Sequence, residues 1–180
     1  MSAPEMISMG CRLNIAESEN LRQNLAASNI DGDNLIIVNS CAVTNEAVRQ
    51  TRQAIRRAKK ANPEKDIIVT GCAAQVDPAM FAAMPETSAV VGNVDKYDAA
   101  NFKLGLHSNR PDIRVSDIMR ITETAPHMVS SFADRSRAFV EIQNGCDHRC
   151  TFCIIPFGRG NSRSVPAGLV VDQVRALVDK

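Results

Sequence analysis

The sequence contains no tryptophan and a single tyrosine among its 180 residues. With so few aromatic faces for bases to stack on, it does not read as a platform for single-stranded RNA. Neither sign of charge dominates, since 21 Lys and Arg face 20 Asp and Glu for a formal net charge of +1. No molecule-wide field draws in a nucleic acid, so any RNA contact has to be a local patch. No apolar run approaches bilayer length, and Met1-Ser2-Ala3-Pro4-Glu5 lacks the basic start and apolar core of a secretion signal. A soluble, cytoplasmic chain with no membrane partner is the expectation. Its 44% hydrophobic content suits one ordinary domain, or one domain and part of another. Without a secretion signal, its six cysteines are expected to be reduced and available to metal rather than paired as disulfides.

Three of those cysteines lie close together, as Cys146-x3-Cys150-x2-Cys153 behind the short apolar run 138–142. Three thiolates at this spacing call for one metal centre. A disulfide uses an even number and a structural zinc site takes four protein ligands, whereas a four-iron cluster held by three cysteines keeps one iron open for a small molecule. Bacterial ferredoxins use a different spacing with a further thiol nearby, and here no cysteine follows Cys153.

The other three follow from the pattern of the first 104 residues. Met6-Ile7-Ser8-Met9 reads as a short strand. Asn14-Ile15-Ala16-Glu17 fits a capping box ahead of a helix to about Ala26, with Leu21 and Leu25 at helical spacing. Leu35-Ile36-Ile37-Val38 is a continuous apolar strand of the kind buried on both faces. Thr44 or Asn45 caps a helix to about Lys60, closed by Pro63. Further strands are predicted at 66–70 and 89–91, with Asp77-Pro78 starting a helix between them and a last helix over 95–102. This alternation predicts an open parallel-sheet α/β domain, Rossmann- or flavodoxin-like, with right-handed crossovers. Cys11, Cys41 and Cys72 each fall one or two residues past a strand, so all three should gather at the carboxyl edge of the sheet. One such cysteine alone reads as a small buried residue. Three at the same topological position read better as a second three-thiolate site, with nearby helix amino termini lowering the thiol pKa.

The helix after Asn45 carries Arg49, Arg52, Arg56 and Lys59 or Lys60 along one side. The stripe reads as a solvated outer face whose arginines lie over apolar surface; contact with tRNA phosphates is the alternative. Residues 105–136 read as an interdomain linker, 137–143 as a strand delivering the Cys146 loop at its carboxyl end, and 169–178 as a helix.

Cys146-x3-Cys150-x-Phe152-Cys153, with its aromatic residue before the last cysteine, resembles the cluster motif of radical S-adenosylmethionine (SAM) enzymes. The flanking text, Asn144-Gly145 before it and Ile154-Ile155-Pro156-Phe157-Gly158-Arg159-Gly160-Asn161-Ser162-Arg163-Ser164 after it, resembles the tRNA methylthiotransferase branch, most of all the group acting on threonylcarbamoyladenosine. Gly10-Cys11-x-x-Asn14, Asn39-Ser40-Cys41-Ala42-Val43-Thr44 and Gly71-Cys72-Ala73-Ala74-Gln75 resemble that family's amino-terminal domain. The resemblance implies two 4Fe-4S clusters. One, on Cys146, Cys150 and Cys153, binds SAM near Phe152 and, once reduced, cleaves it to a 5′-deoxyadenosyl radical. The other, an auxiliary cluster on Cys11, Cys41 and Cys72, is implicated in supplying sulfur. It also implies a tRNA substrate, methylthiolated at carbon 2 of the modified adenosine beside the anticodon, and a reductant such as flavodoxin or ferredoxin. On the same ground, 137–180 is the first strand, cluster loop and helix of an incomplete radical SAM (β/α) barrel, and the chain alone is expected to be inactive. The basic 158–164 segment, with Arg159 and Arg163, then touches SAM or RNA phosphate, or forms a flexible turn before Pro166. Enzymes acting on isopentenyladenosine or a ribosomal protein remain alternatives within the family. Outside it stand a two-cluster electron carrier and a zinc-stabilised RNA-binding module. Oligomeric state is not legible.

Overall fold

Apolar strands alternating with amphipathic helices form a two-faced sheet in the computed structural model, which describes residues 3–28, 30–103, 111–123 and 137–179. Strands β1 (Glu5–Ser8), β2 (Leu35–Ser40), β3 (Asp66–Gly71), β4 (Ala89–Val91) and β5 (Asp112–Arg114) are all parallel and lie side by side in chain order. Between them run α1 (Arg12–Ala27), α2 (Asn45–Ala61), α3 (Cys72–Val76) and α4 (Pro78–Ala82).

β2 is buried throughout because both of its faces are covered. Ile36 and Val38 pack with Ile55 and Ala58 of α2 and with Phe81 of α4, while Leu35 and Ile37 pack with Leu21 and Leu25 of α1 and with Phe102. The expected α/β class holds. The expected uniform right-handed winding does not: β1, β2 and β3 follow one another across the sheet while α1 and α2 cover opposite faces, so their two crossovers have opposite hands.

Thr44 caps α2, its Oγ1 accepting from Ala47 N at 3.0 Å, and Asp77 caps α4 ahead of Pro78. The helix expected over 95–102 is instead two 3-10 turns, Asp95–Tyr97 and Ala99–Phe102, broken at Asp98, whose side chain caps the second. The capping box at Asn14 and Glu17 is also overturned. α1 begins earlier, with Cys11 at its N-cap making no side-chain cap bond, and Asn14 and Glu17 are buried inside the helix with their polar atoms committed elsewhere.

Of the stretch expected to link two domains, 105–110 and 124–136 lie outside the described residues. Its described part adds the edge strand β5 and a 3-10 turn, Ile118–Arg120, with Ile118 buried. The strand expected over 137–143 does not form. Residues 137–142 are irregular, and β6 (Gln143–Asn144) pairs antiparallel with β7 (Arg163–Ser164), because the returning chain is the ladder partner it meets. α5 (Ile155–Arg159) follows the cysteine loop, and α6 (Ala167–Val178) stands where a helix was expected. Among the described residues no helix is long and apolar enough to cross a membrane.

Candidate functional site

β2 and β3 stay in register up to Ser40 opposite Gly71, so Cys41 and Cys72, each next in the chain, leave the sheet on neighbouring strands. β1 pairs up to Ser8 opposite Asn39, and Met9 N donates to Asn39 O at 2.9 Å, which puts Gly10 and Cys11 at the same end. Gly10 has φ +92°, and a Cβ built there would stand 2.6 Å from Cys41 Cβ and 2.7 Å from its Sγ. Only glycine meets both demands. Asn14 joins the two loops: its Nδ2 donates to Met9 O at 2.7 Å and to Ser40 O at 3.0 Å, while Cys11 Sγ lies 3.7 Å from its Oδ1.

Topology thus gathers Cys11, Cys41 and Cys72 at one carboxyl edge, Cys41 and Cys72 buried and Cys11 exposed. Among the described residues, no three His, Cys, Asp or Glu side chains are placed to hold one metal ion. The donor set is three soft sulfurs, with the Cys11 and Cys41 loops in contact through Gly10 and Asn14 and the Cys72 loop tied to Ser40 through Ala74 N, and it has the chemistry that an iron-sulfur cluster takes.

The contiguous triad sits on a loop pinned by residues 160–162. Cys146 N donates to Gly160 O at 3.1 Å, Ser162 N to Asp147 Oδ1 at 2.8 Å, and Arg149 Nη2 to Asn161 Oδ1 at 2.5 Å. Gly145, at φ +76°, allows this fold-back, for a Cβ there would run into Asn161 O. Cys146 and Cys153 are half-buried and Cys150 is exposed; Phe152, expected near SAM, is 90% exposed.

α5, which follows the contiguous triad, packs on α3, which begins at Cys72. A Cβ on Gly158 would lie 3.2 Å from Cys72 Cβ. Asn93 Nδ2 donates to Gly158 O at 2.5 Å and stands 3.7 Å from Cys72 Sγ.

Beneath this contact lies a buried charge network that sequence reasoning did not find. Glu17 Oε2 meets Lys96 Nζ at 2.9 Å and Arg159 Nη2 at 3.0 Å, and its Oε1 meets Arg159 Nη1 at 2.6 Å. All three residues are 5% exposed or less. Burial works against the Glu17 carboxylate, yet Lys96 and Arg159 outweigh it and hold its pKa far below the usual carboxylate range. Burial pushes the Lys96 ammonium down in spite of Glu17. It also pushes the Cys72 thiol up, against Arg159 and Lys96, so the lowering expected from helix termini is not what Cys72 meets. A sequence signal for the network did exist. Asn14, Glu17 and Ser18 continue the helical stripe of Leu21 and Leu25, and a polar run on a core-facing stripe points to buried partners.

Arg159 is therefore corrected: expected at SAM or RNA phosphate, it is buried and its guanidinium is spent on Glu17, Asn14 and Asn144. Arg163 is half-buried, donating to Asn161 O and Arg159 O, and lines a cavity of about 60 Å³ with Tyr97 and Glu17. On α2, Arg49 is paired to Glu46 at 2.6 Å with both side chains more than half exposed, Arg56 lies 3.9 Å from Glu86, and Arg52 is half-buried.

Residues 5–92 match the model described as "Uncharacterized protein family UPF0004". The chain is similar to the threonylcarbamoyladenosine tRNA methylthiotransferase MtaB of Rickettsia prowazekii (strain Madrid E), 53% identical over 176 residues, 98% of this chain and 40% of that protein. It is 37% identical to the MtaB of Bacillus subtilis (strain 168) over 178 residues, 95% of this chain and 40% of that one. It is also 30% identical to the ribosomal protein uS12 methylthiotransferase RimO of Shewanella putrefaciens (strain CN-32 / ATCC BAA-453), over 96% of this chain and 36% of that protein. The chain spans about 40% of the length of the first two relatives.

Proposed function

This chain belongs to the tRNA methylthiotransferase family, and from that premise we propose that it is part of a radical SAM enzyme that 2-methylthiolates N6-threonylcarbamoyladenosine beside the tRNA anticodon. The observation that carries the reading is the gathering of Cys11, Cys41 and Cys72 at one sheet edge, with α5, two residues past Cys153, packed on Cys72. The substrate rests on the 53% identical relative, whose name states it.

Cys146, Cys150 and Cys153 would hold the 4Fe-4S cluster that binds SAM, and Cys11, Cys41 and Cys72 the auxiliary one. When bound, the clusters supply one-electron chemistry and sulfur. The chain's own part is placement. Gly10 lets the Cys11 loop pass against Cys41, Asn14 ties both loops down, and Asp147 and Arg149 hold the Cys146 loop folded on residues 161 and 162. Residues 1–104 form the auxiliary-cluster domain on this reading, and 137–180 begin the SAM-binding one. The partners are SAM, tRNA and a small electron-transfer protein such as flavodoxin or ferredoxin.

Anaerobic reconstitution with iron and sulfide tests the cysteines. Wild type should take up two four-iron clusters, and serine at all three positions of either triad should remove one and leave the other. Zinc uptake without iron or sulfide selects an RNA-binding module, and a reduced electron paramagnetic resonance spectrum unmoved by SAM selects an electron carrier. Nucleoside mass spectrometry of tRNA from cells lacking the full-length gene tests the substrate: the methylthio form of threonylcarbamoyladenosine should disappear. The similarity to the uS12 enzyme favours a second reading, which an unchanged nucleoside profile and an unmodified ribosomal protein would select.

A further inference from the structure

Three asparagines border the two thiol groups, and each accepts a hydrogen bond from a buried cation. Asn14, which holds the Cys11 and Cys41 loops, takes Arg159 Nη2 on its Oδ1 at 2.6 Å. Asn144, whose Oδ1 also accepts from Gly145 N at 2.9 Å just before Cys146, takes Arg159 Nη1 at 3.2 Å. Asn93, which stands over Cys72, takes Lys96 Nζ at 2.9 Å. Glu17 ties the two cations together, meeting Arg159 with both carboxylate oxygens and Lys96 with one.

We propose that Glu17, Lys96 and Arg159 are positioning residues: a single buried frame that sets the Cys146 loop against the Cys11, Cys41 and Cys72 loops. Three physical points carry this. First, burying two cations and a carboxylate costs desolvation that their attraction only roughly repays, so stability alone is a weak reason for the cluster; what such a cluster provides is geometry. Second, the guanidinium meets a carboxylate and two amide oxygens as a planar fork, which fixes orientation as well as distance. Third, Arg159 ends a helix of five residues, Ile155–Arg159, too short to hold its own place. Its place comes from the fork at one end and from Gly158 lying on Cys72 at the other.

The consequence is mutual. A shift of α5 moves the tether of Cys146 through Asn144, that of Cys11 and Cys41 through Asn14, and the wall over Cys72 through Gly158. The frame's purpose rests on the function proposed above, in which both thiol groups work together, but its geometry stands without any metal. The test is therefore run on the cluster-free chain.

Each cysteine is alkylated with iodoacetamide under reducing conditions and its rate read peptide by peptide by mass spectrometry. In Arg159→Met, which keeps bulk and removes the fork, Cys72 and Cys41 should label at least about tenfold faster than in wild type through local opening of the sheet edge. Arg159→Lys, which keeps charge without the fork, should fall between the two. Ile55→Ala, in the α2 core away from the frame, is the control for general loosening. The proposal is overturned if Arg159→Met labels like wild type, or if at matched urea stability its pattern equals that of Ile55→Ala. If Arg159→Met does not fold, Arg159→Lys against Ile55→Ala decides by the same two criteria. Failure of iron uptake in reconstitution would sink the proposed function and leave these rates untouched.

Discussion

Glu17 and Glu141 are two acids under the influence of the same cations, with pKa values moved in opposite directions. At Glu141, burial is the largest influence and Glu17's negative charge adds to it, pushing its pKa from 4.5 up to about 7, while its Oε1 is buried without a partner. At Glu17, the cations win. The signs for stability follow. A carboxyl raised on folding contributes stability that is full below 4.5 and lost as pH rises through about 7. A carboxyl lowered on folding contributes stability present above its unfolded value and lost as pH falls below it. Glu141→Gln, neutral at every pH, should therefore flatten the decline in stability between 4.5 and about 7, by up to about 3 kcal/mol at 1.36 kcal/mol per pH unit. Urea midpoints of variant and wild type across that window check it; parallel curves would show that the Glu141 carboxyl titrates alike in the folded and unfolded states.

Among the longer helices, α2 is capped at its start by a single side chain. Thr44 Oγ1 accepts from Ala47 N, and Ile55 and Ala58 then anchor the helix on β2 and β3. Thr44→Ala should cost about 1 kcal/mol in urea unfolding while Thr44→Ser restores most of it. α2 was legible because cap, apolar stripe and Pro63 all agree, and β2 because four consecutive apolar residues can only serve two buried faces. The same logic placed Cys11, Cys41 and Cys72 at one edge. What could not be read arose from contacts distant in sequence. Asn14 and Glu17 fit a capping box by spacing, but Arg159, 142 positions beyond Glu17, claims the carboxylate. β5 has three residues and exists because β4 offers it an open edge. A strand was predicted over 137–143 from alternation that no parallel neighbour answers, and its last residue joins a two-residue antiparallel ladder instead.

Whether the sheet and the cysteine loop behave as one body depends on how much of their junction is buried and shared. Ile118 packs under Gly160, Gly158 lies on Cys72, and Arg159 is enclosed against Glu17. None of these surfaces is complete without the other side, and exposing the Glu17–Arg159 pair also exposes the asparagines it orders. Unfolding of the loop should then be coupled to unfolding of the sheet. The composition offers a clean probe, because Tyr97 is the single tyrosine and no tryptophan obscures it. Its hydroxyl donates to Glu17 Oε1 at 3.4 Å, so its fluorescence reports the junction itself. In urea, Tyr97 fluorescence and far-ultraviolet circular dichroism, which follows the sheet and helices, should give coincident transitions for wild type. Arg159→Met should separate them, with the Tyr97 transition moving to lower urea. A wild-type fluorescence change that precedes the dichroism change would mean that the two thiol groups sit on independently folding bodies.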